Sequence, residues 1–396
     1  MKIGCLRKNL PFYLVLLVCC AVLTGVTFPQ TYDQLWNMET DFYQHAQDAD
    51  LILIDDFENW YPIIGHPLWH LCTVGLYELG MGSDYAGTTV TTVMKLAQML
   101  IICWFFDRML RDKINRVWSP LLALATVLVS AVCIPSINPQ IYANAGSPNV
   151  WHSPTQTMLL FWMLLCVMFL SCSYERQLKI TEKRCDFTWY RMLFFAVILA
   201  VSTLAKPVFV QAFFPGAALY FLFQWIRNPQ HTRYYIRILI SLIPTIALIL
   251  FQIGAYYGEE SGTGLLLFFN PDQILYTLRI ALMINAFPLF VILTNPQKQK
   301  NVFSALCIFT FAAACLECAF IRETGIRSTH GNFDWALMAT SLLMWVNAVP
   351  QFIELLCEKR SAKTLTLALA SSGLFVWHLL SGIYYLYMLF TTENWF

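Results

Sequence analysis

The chain has 396 residues, of which 58% are apolar and only 12% charged. A soluble globule runs near 45–50% apolar and about 25% charged, so the polar residues here could not cover a water-soluble body of this length. A polytopic membrane protein is the class that remains, and the net charge of +1 hides an uneven distribution of charge along the chain.

A spanning helix needs ~20 mostly apolar residues. Such segments are expected over 10–28, 87–107, 119–135, 155–173, 192–205, 208–225, 237–257, 273–294, 302–320, 335–356 and 364–390, about 11 spans. The expected fold is all-α, one transmembrane domain over 1–396 with no separate soluble domain. The first span follows Lys2, Arg7 and Lys8, and no small-x-small cleavage site is clear near residue 28. It reads as a retained anchor rather than a cleaved signal. Ser119-Pro120, Ser153-Pro154 and Asn270-Pro271 each read as an N-cap followed by proline at the first helical position. Lys206-Pro207 interrupts the two shortest spans. The thirteen cysteines lie mostly in apolar runs and do not form a disulfide framework; Cys315 and Cys318 stand as a CxxC inside a span.

Orientation follows from Lys and Arg. Twenty of the twenty-five fall in six segments, the N-terminus, 108–116, 176–191, 227–237, 298–300 and 359–363. These share one side only if 66–80, "HPLWHLCTVGLYELG", does not cross. That stretch is short and carries His66, His70 and Glu78, so it reads as an interfacial or re-entrant helix. Residues 29–86 then form one long outer loop, the N-terminus is cytoplasmic, and seventeen of the twenty-four acids lie outside or near outer span ends.

Within that loop, "METDFYQHAQDADLILIDDFENW" (38–60) holds seven carboxylates, with no Lys or Arg between Lys8 and Lys95. Asp41, His45 and Asp48 stand at i, i+4 and i+7, one face of a helix. Phe42, Ala46, Ala49 and Leu53 form the adjacent apolar face. Five basic residues break the positive-inside pattern: Lys95, Lys206, Arg279, Arg322 and Arg327. A charge at membrane depth is costly unless paired or hydrated, and it marks function by default. Pairing with neighbours such as Glu317 or Asp272, or snorkelling to the interface, is the plainer explanation for any one of them. A shared outward cavity, with cations facing an acidic loop, explains the set. Further polar groups gather on the same side, in "NAGSPNVWHSPT" (144–155), "YGEESGTG" (257–264) and "IRETGIRSTHGNFDW" (321–335).

A first span, an outer acid beside an aromatic ("ETDFYQHAQDA") and an interfacial helix opening with proline ("HPLWHLCTVGLYELG") resemble the GT-C glycosyltransferase superfamily. "LAKPVFVQAFFPGAALYFL" (204–222) is similar to that family's Lys-then-Pro hairpin, and "GSPNVWHSPT" and "RSTHGNFDW" look like motifs of its bacterial members. The resemblance implies an enzyme of the bacterial cell membrane, acting on its outer face. The donor would be a polyprenyl-phosphate-linked sugar and the acceptor a glycan, lipid or protein, with membrane lipids around it and no nucleic acid. It implies Asp41 as the catalytic carboxylate, with Glu39 or His45 orienting it. Lys206, Arg279, Arg322 and Arg327 would hold the departing phosphate. Lys95, His66, His70, Trp151, His152, Glu259 and His330 complete the expected substrate-binding set. No metal ligands are assigned, and the cofactor stays open, a divalent cation being the one considered. The order Glu39-Thr40-Asp41 departs from the Asp-Glu pair of one branch. A transporter or flippase would also place charges at membrane depth, and an O-antigen polymerase or ligase would also use lipid-linked sugars. A non-catalytic scaffold would not need buried basic residues.

Overall fold

The computed structural model describes residues 3–36, 40–52, 64–134, 146–180, 185–256, 264–325, 332–358 and 361–391. Among them the helices are α1 (Ile3–Gln34), α2 (Asp41–Ile52), α3 (Leu68–Glu78), α4 (Ser83–Leu110), α5 (Trp118–Leu128), α6 (Pro154–Leu178), α7 (Trp189–Ala205) and α8 (Val208–Arg227). They continue as α9 (Thr232–Tyr256), α10 (Pro271–Thr294), α11 (Val302–Phe320), α12 (Asn332–Cys357) and α13 (Ala362–Thr391). Nine of these are long and apolar enough to cross a membrane, and α5 and α7 are shorter apolar helices. The chain is an all-α polytopic membrane protein. Leu, Ile, Val and Phe face outward around the bundle, for example Leu17, Leu219, Phe251 and Leu369, as a lipid-facing surface requires.

Helices α2 and α3 have 12 and 11 residues, roughly 18 and 16 Å at 1.5 Å per residue, too short to span. The expectation that 66–80 does not cross is met by α3, which starts behind Pro67. The helix expected over 119–135 ends at Leu128, and Val129 turns to extended backbone. Helix α5 is therefore about half the length that a crossing needs. The cap expected at Ser119 also moves: α5 begins at Trp118 with Ser119 buried in its first turn. Proline is tolerated there because first-turn N–H groups have no intrahelical partner. Asn270 caps α10 as expected, its side chain accepting from the Asp272 N–H; Ser153 precedes α6 without a side-chain cap.

One element was not legible. Gly264–Leu267 (β1) pairs antiparallel with Ile321–Thr324 (β2), Leu266 opposite Arg322. The two runs lie far apart in sequence and are too short to show a period.

Where α5 stops, side chains and neighbouring backbone replace the lost hydrogen bonds. Asn149 Nδ2 donates to the Thr126 and Val129 carbonyls at 2.7 and 3.3 Å. The Ser130 N–H reaches the His378 carbonyl at 3.3 Å, and the Val132 N–H reaches the Met283 carbonyl at 2.9 Å. Helix α10 is kinked at Asn285 ahead of Pro288. Proline cannot donate to the carbonyl four residues back, and Trp345 Nε1 donates to that Ile284 carbonyl instead, at 3.1 Å. The Phe287 N–H donates to His378 Nε2 at 3.3 Å, while His378 Nδ1 donates to the Ser130 carbonyl at 2.6 Å. The broken helix and the kinked one thus complete each other through α13.

The helices alternate in direction, so connections fall at two ends. One end carries Arg116–Asp107, Arg176–Asp186, Arg191–Asp186 and Lys298 with Glu354 and Glu358. The other end holds α2, α3, the loop 146–153 and Lys206.

Two glycines sit where helices touch backbone to backbone. A Cβ on Gly216 of α8 would lie 2.6 Å from the Phe309 carbonyl oxygen of α11, and one on Gly382 of α13 would overlap the Leu128 carbonyl. Gly25 of α1 has nothing within 4 Å. Alanine normally stabilises a helix by up to ~1 kcal/mol relative to glycine. We expect the sign to reverse at the contacts: Gly216→Ala and Gly382→Ala should lose about 1–3 kcal/mol and lower the thermal midpoint in detergent, while Gly25→Ala leaves it level or raises it. Equal midpoints for all three would disprove the packing.

Candidate functional site

The site is built on the turn between α1 and α2. Thr40 Oγ1 donates to the Gln34 carbonyl at 2.7 Å and accepts from the Tyr43 N–H at 3.1 Å, joining the end of one helix to the start of the next. The hydroxyl acts as the N-cap of α2. Asp41 follows in the first turn, where a carboxylate is favoured by the helix dipole. Phe42 is fully buried and meets Trp69 of α3 edge-on, ring centroids 6.3 Å apart. Trp69 is in turn fixed to α4: its Nε1 donates to Thr91 Oγ1 at 2.9 Å, and its ring lies over Gly87, where a Cβ would come within 3.1 Å.

This packing turns the polar face of α2 inward. His45 and Asp48 are buried, so the face is not solvated; Asp41 keeps about a third of its side chain exposed. His45 Nδ1 stands 3.0 Å from His70 Nε2, and His45 Nε2 stands 3.7 Å from Asp41 Oδ2. Asp48 Oδ2 is 4.0 Å from His45 Nδ1, and Asp48 Oδ1 accepts from Gln44 at 3.2 Å. The His66 ring lies 5.1 Å from His45 and stacks on His70 at 5.7 Å. One ring nitrogen from each of the three histidines falls within a set 4.8 Å across. Imidazole nitrogens at this spacing are what a transition-metal site is made of.

Burial governs the charges. It pushes the His45 and His66 imidazoles well below their ordinary value and His70 down to about 4. It raises the Asp48 carboxyl, against the opposing hydrogen bond from Gln44 and helped by the charge of Asp41.

Lys206 lies at the α7–α8 turn, buried, with its Nζ 3.8 Å from the centroid of the Trp335 ring. Burial pushes its amine down to about 8, against the pull of Asp41. The Asp41 charge is felt at His66, His70 and His152 as well. His152 Nδ1 is 2.9 Å from the Tyr385 hydroxyl, and its ring lies 5.8 Å from Trp335. Trp335 therefore joins Lys206 to His152, and the Asp41 charge acts on both.

The remaining residues of the expected set divide. Lys95 is buried on α4, donates to the Val150 carbonyl at 3.3 Å and sits 4.3 Å over the Trp151 ring. The Trp151 carbonyl accepts from Gln30 and Gln34. These two residues hold the loop 146–153. Arg322 on β2 donates to Gln273 at 2.7 Å and lies over Phe268, and Arg279 is on an exposed face of α10. The contacts of Arg322 lie on Gln273 and Phe268, away from the histidines. Glu39, Glu259, Arg327 and His330 lie outside the described residues. The site residues that sequence reasoning missed are Trp335, Tyr385 and a central Asp48. Trp335 closes the "RSTHGNFDW" motif and Asp48 shares the Asp41 face, so both left a signal. Tyr385 left none, being one aromatic in a lipid-facing helix.

No protein-family model matches the chain, and no curated protein matches it.

The burial of His152 has a pH consequence. Its folded value is about 4, against ~6.5 unfolded. Between these the unfolded chain holds a proton that the folded chain does not, so stability falls as pH drops from about 6.5 to about 4. His152→Gln, which keeps a partner for Tyr385, should show a smaller drop in thermal midpoint between pH 7 and pH 5 than the wild type. An unchanged drop would mean that His152 is not held neutral.

Proposed function

We propose that this protein is a membrane glycosyltransferase of the GT-C kind. It moves a sugar from a polyprenyl-phosphate-linked donor to an acceptor on the outer face of the bacterial cell membrane, with the N-terminus in the cytoplasm. The observation that carries the reading is a partly exposed carboxylate, Asp41, near enough to the buried Lys206 for its charge to act on that amine. Sugar transfer from a lipid phosphate needs a base for the acceptor's proton and a cation for the phosphate as it gains charge. Asp41 suits the first role, with His45 beside it as the orienting group. Lys206 suits the second. Packed against Trp335, it sits where water is scarce and a phosphate oxygen gains most from a positive charge.

A transporter reading draws on the broken helix α5 and the kinked α10, since discontinuous helices line many transport sites. The two readings separate on chemistry: one changes the donor, the other moves its substrate unaltered.

The experiment is transfer of labelled sugar from a polyprenyl-phosphate donor pool in membranes expressing each variant at equal level. Asp41→Asn should lower transfer by roughly 10²–10⁴-fold and Lys206→Met should abolish it, with Asp48→Asn milder. Normal transfer by Asp41→Asn removes Asp41 as the base. Donor crossing the bilayer uncleaved in every case favours the transporter.

A further inference from the structure

The contacts of the three histidines contain a conflict that no neutral tautomer of His45 resolves. His70 Nδ1 lies 3.3 Å from the His66 carbonyl oxygen. A carbonyl only accepts, so Nδ1 carries the proton and Nε2 presents its lone pair to His45 Nδ1, 3.0 Å away. His45 then has two neutral tautomers. With the proton on Nδ1 it satisfies His70, and its Nε2 lone pair faces the Asp41 carboxylate at 3.7 Å. With the proton on Nε2 it satisfies Asp41, and two lone pairs meet at 3.0 Å. In either neutral form two acceptors confront each other. A second proton on His45 would serve both contacts but leave the buried His66 Nδ1 without a hydrogen-bond partner. A cation between the rings removes these conflicts together.

We propose that His45, through Nδ1, His70, through Nε2, and a ring nitrogen of His66 bind one transition-metal ion of the zinc class. Nitrogen donors of this softness select zinc and its neighbours over magnesium or calcium. Zn–N bonds are about 2.0–2.1 Å, which sets tetrahedral ligand atoms about 3.3 Å apart; the observed set is 4.8 Å across, within reach of ring rotations. One outer partner stands at hydrogen-bond distance, 3.3 Å, and the other lies just beyond it, at 3.7 Å. Metal-bound histidines donate their other N–H to a carboxylate or a carbonyl. Here those partners are Asp41 for His45 and the His66 carbonyl for His70. Asp48 is the nearest further oxygen on the ligand side, 4.0 Å from His45 Nδ1. Asp41 and Asp48 offset the positive charge of Lys206, which is felt at His45 and His66. The binding rests on this geometry alone. Its role, a second positive centre beside Lys206 for the departing phosphate, rests on the transferase reading.

The test uses the full-length protein in detergent, stripped with chelator and titrated with zinc chloride, bound metal being counted by mass spectrometry. We expect one zinc per chain. Asp41→Asn should weaken binding by roughly 10–100-fold, and His45→Gln, His66→Gln and His70→Gln should each weaken it further. His231→Gln, whose ring pairs with Gln177 at the opposite end, should bind as the wild type does. Absence of stoichiometric zinc from the wild type, or undiminished binding by the three histidine variants, overturns the proposal. Should those variants aggregate, cobalt chloride added to the stripped wild type decides. Intense tetrahedral bands support the site, and only the weak octahedral spectrum of free cobalt overturns it. Zinc bound without any sugar transfer would leave the site and remove the transferase reading; transfer by zinc-stripped protein would leave both the site and the transferase reading and remove the ion's part in transfer.

Discussion

In a bilayer core no water is present to take up an unpaired N–H or C=O, and each such group left open costs several kcal/mol. The site end of this molecule depends on how that constraint is met around Leu128. Helix α5 ends there and the chain runs on extended, a course that would be untenable facing lipid. It is tolerable because Asn149, His378 and the kinked backbone of α10 take up the groups that the helix releases. The kink has its own orphans at Ile284 and Phe287, which Trp345 and His378 satisfy. His378 serves both breaks because one of its ring nitrogens donates and the other accepts. The loop 146–153 begins from this knot, and it brings Trp151 and His152 to the places they hold.

The two buried lysines show how a cation is kept in such surroundings. At the opposite end of the bundle, Lys and Arg meet carboxylates near the surface, where ion pairs contribute little. Lys95 and Lys206 lie instead against tryptophan faces, an interaction that strengthens as water is removed. Beyond that they differ. Lys95 also has a carbonyl to donate to and joins α4 to the loop. Lys206 has the Trp335 ring and the charge of Asp41.

The histidine cluster draws its rigidity from hydrophobic contacts outside it. Phe42 and Trp69 lock α2 onto α3, and Trp69 locks α3 onto α4 through Thr91 and the flat surface at Gly87. His45 and His70 are thus carried on short helices that cannot shift independently, with His66 in the turn that leads into α3, the condition for holding ligands or reacting groups at fixed separations.

Much of this protein is determined by its sequence read alone. The apolar runs predict α1, α4, α6 and α9–α13 within a few residues at most boundaries, because a membrane span is a local property of composition. The short length and ionisable residues of 66–80 marked a helix that does not cross. The i, i+4, i+7 spacing of Asp41, His45 and Asp48 placed them on one face, since helical geometry is also local. Tertiary structure alone decided which way that face points. The same spacing is compatible with a solvated surface, and only the packing of Phe42 on Trp69 turns it inward to meet His66 and His70 from another helix. It likewise decided that Lys95 braces a loop while Lys206 packs on Trp335, and that α5 stops halfway. Each of these depends on partners at long sequence separation, such as Trp335 for Lys206 and His378 for Ser130, and no local pattern of residues encodes where such partners will lie.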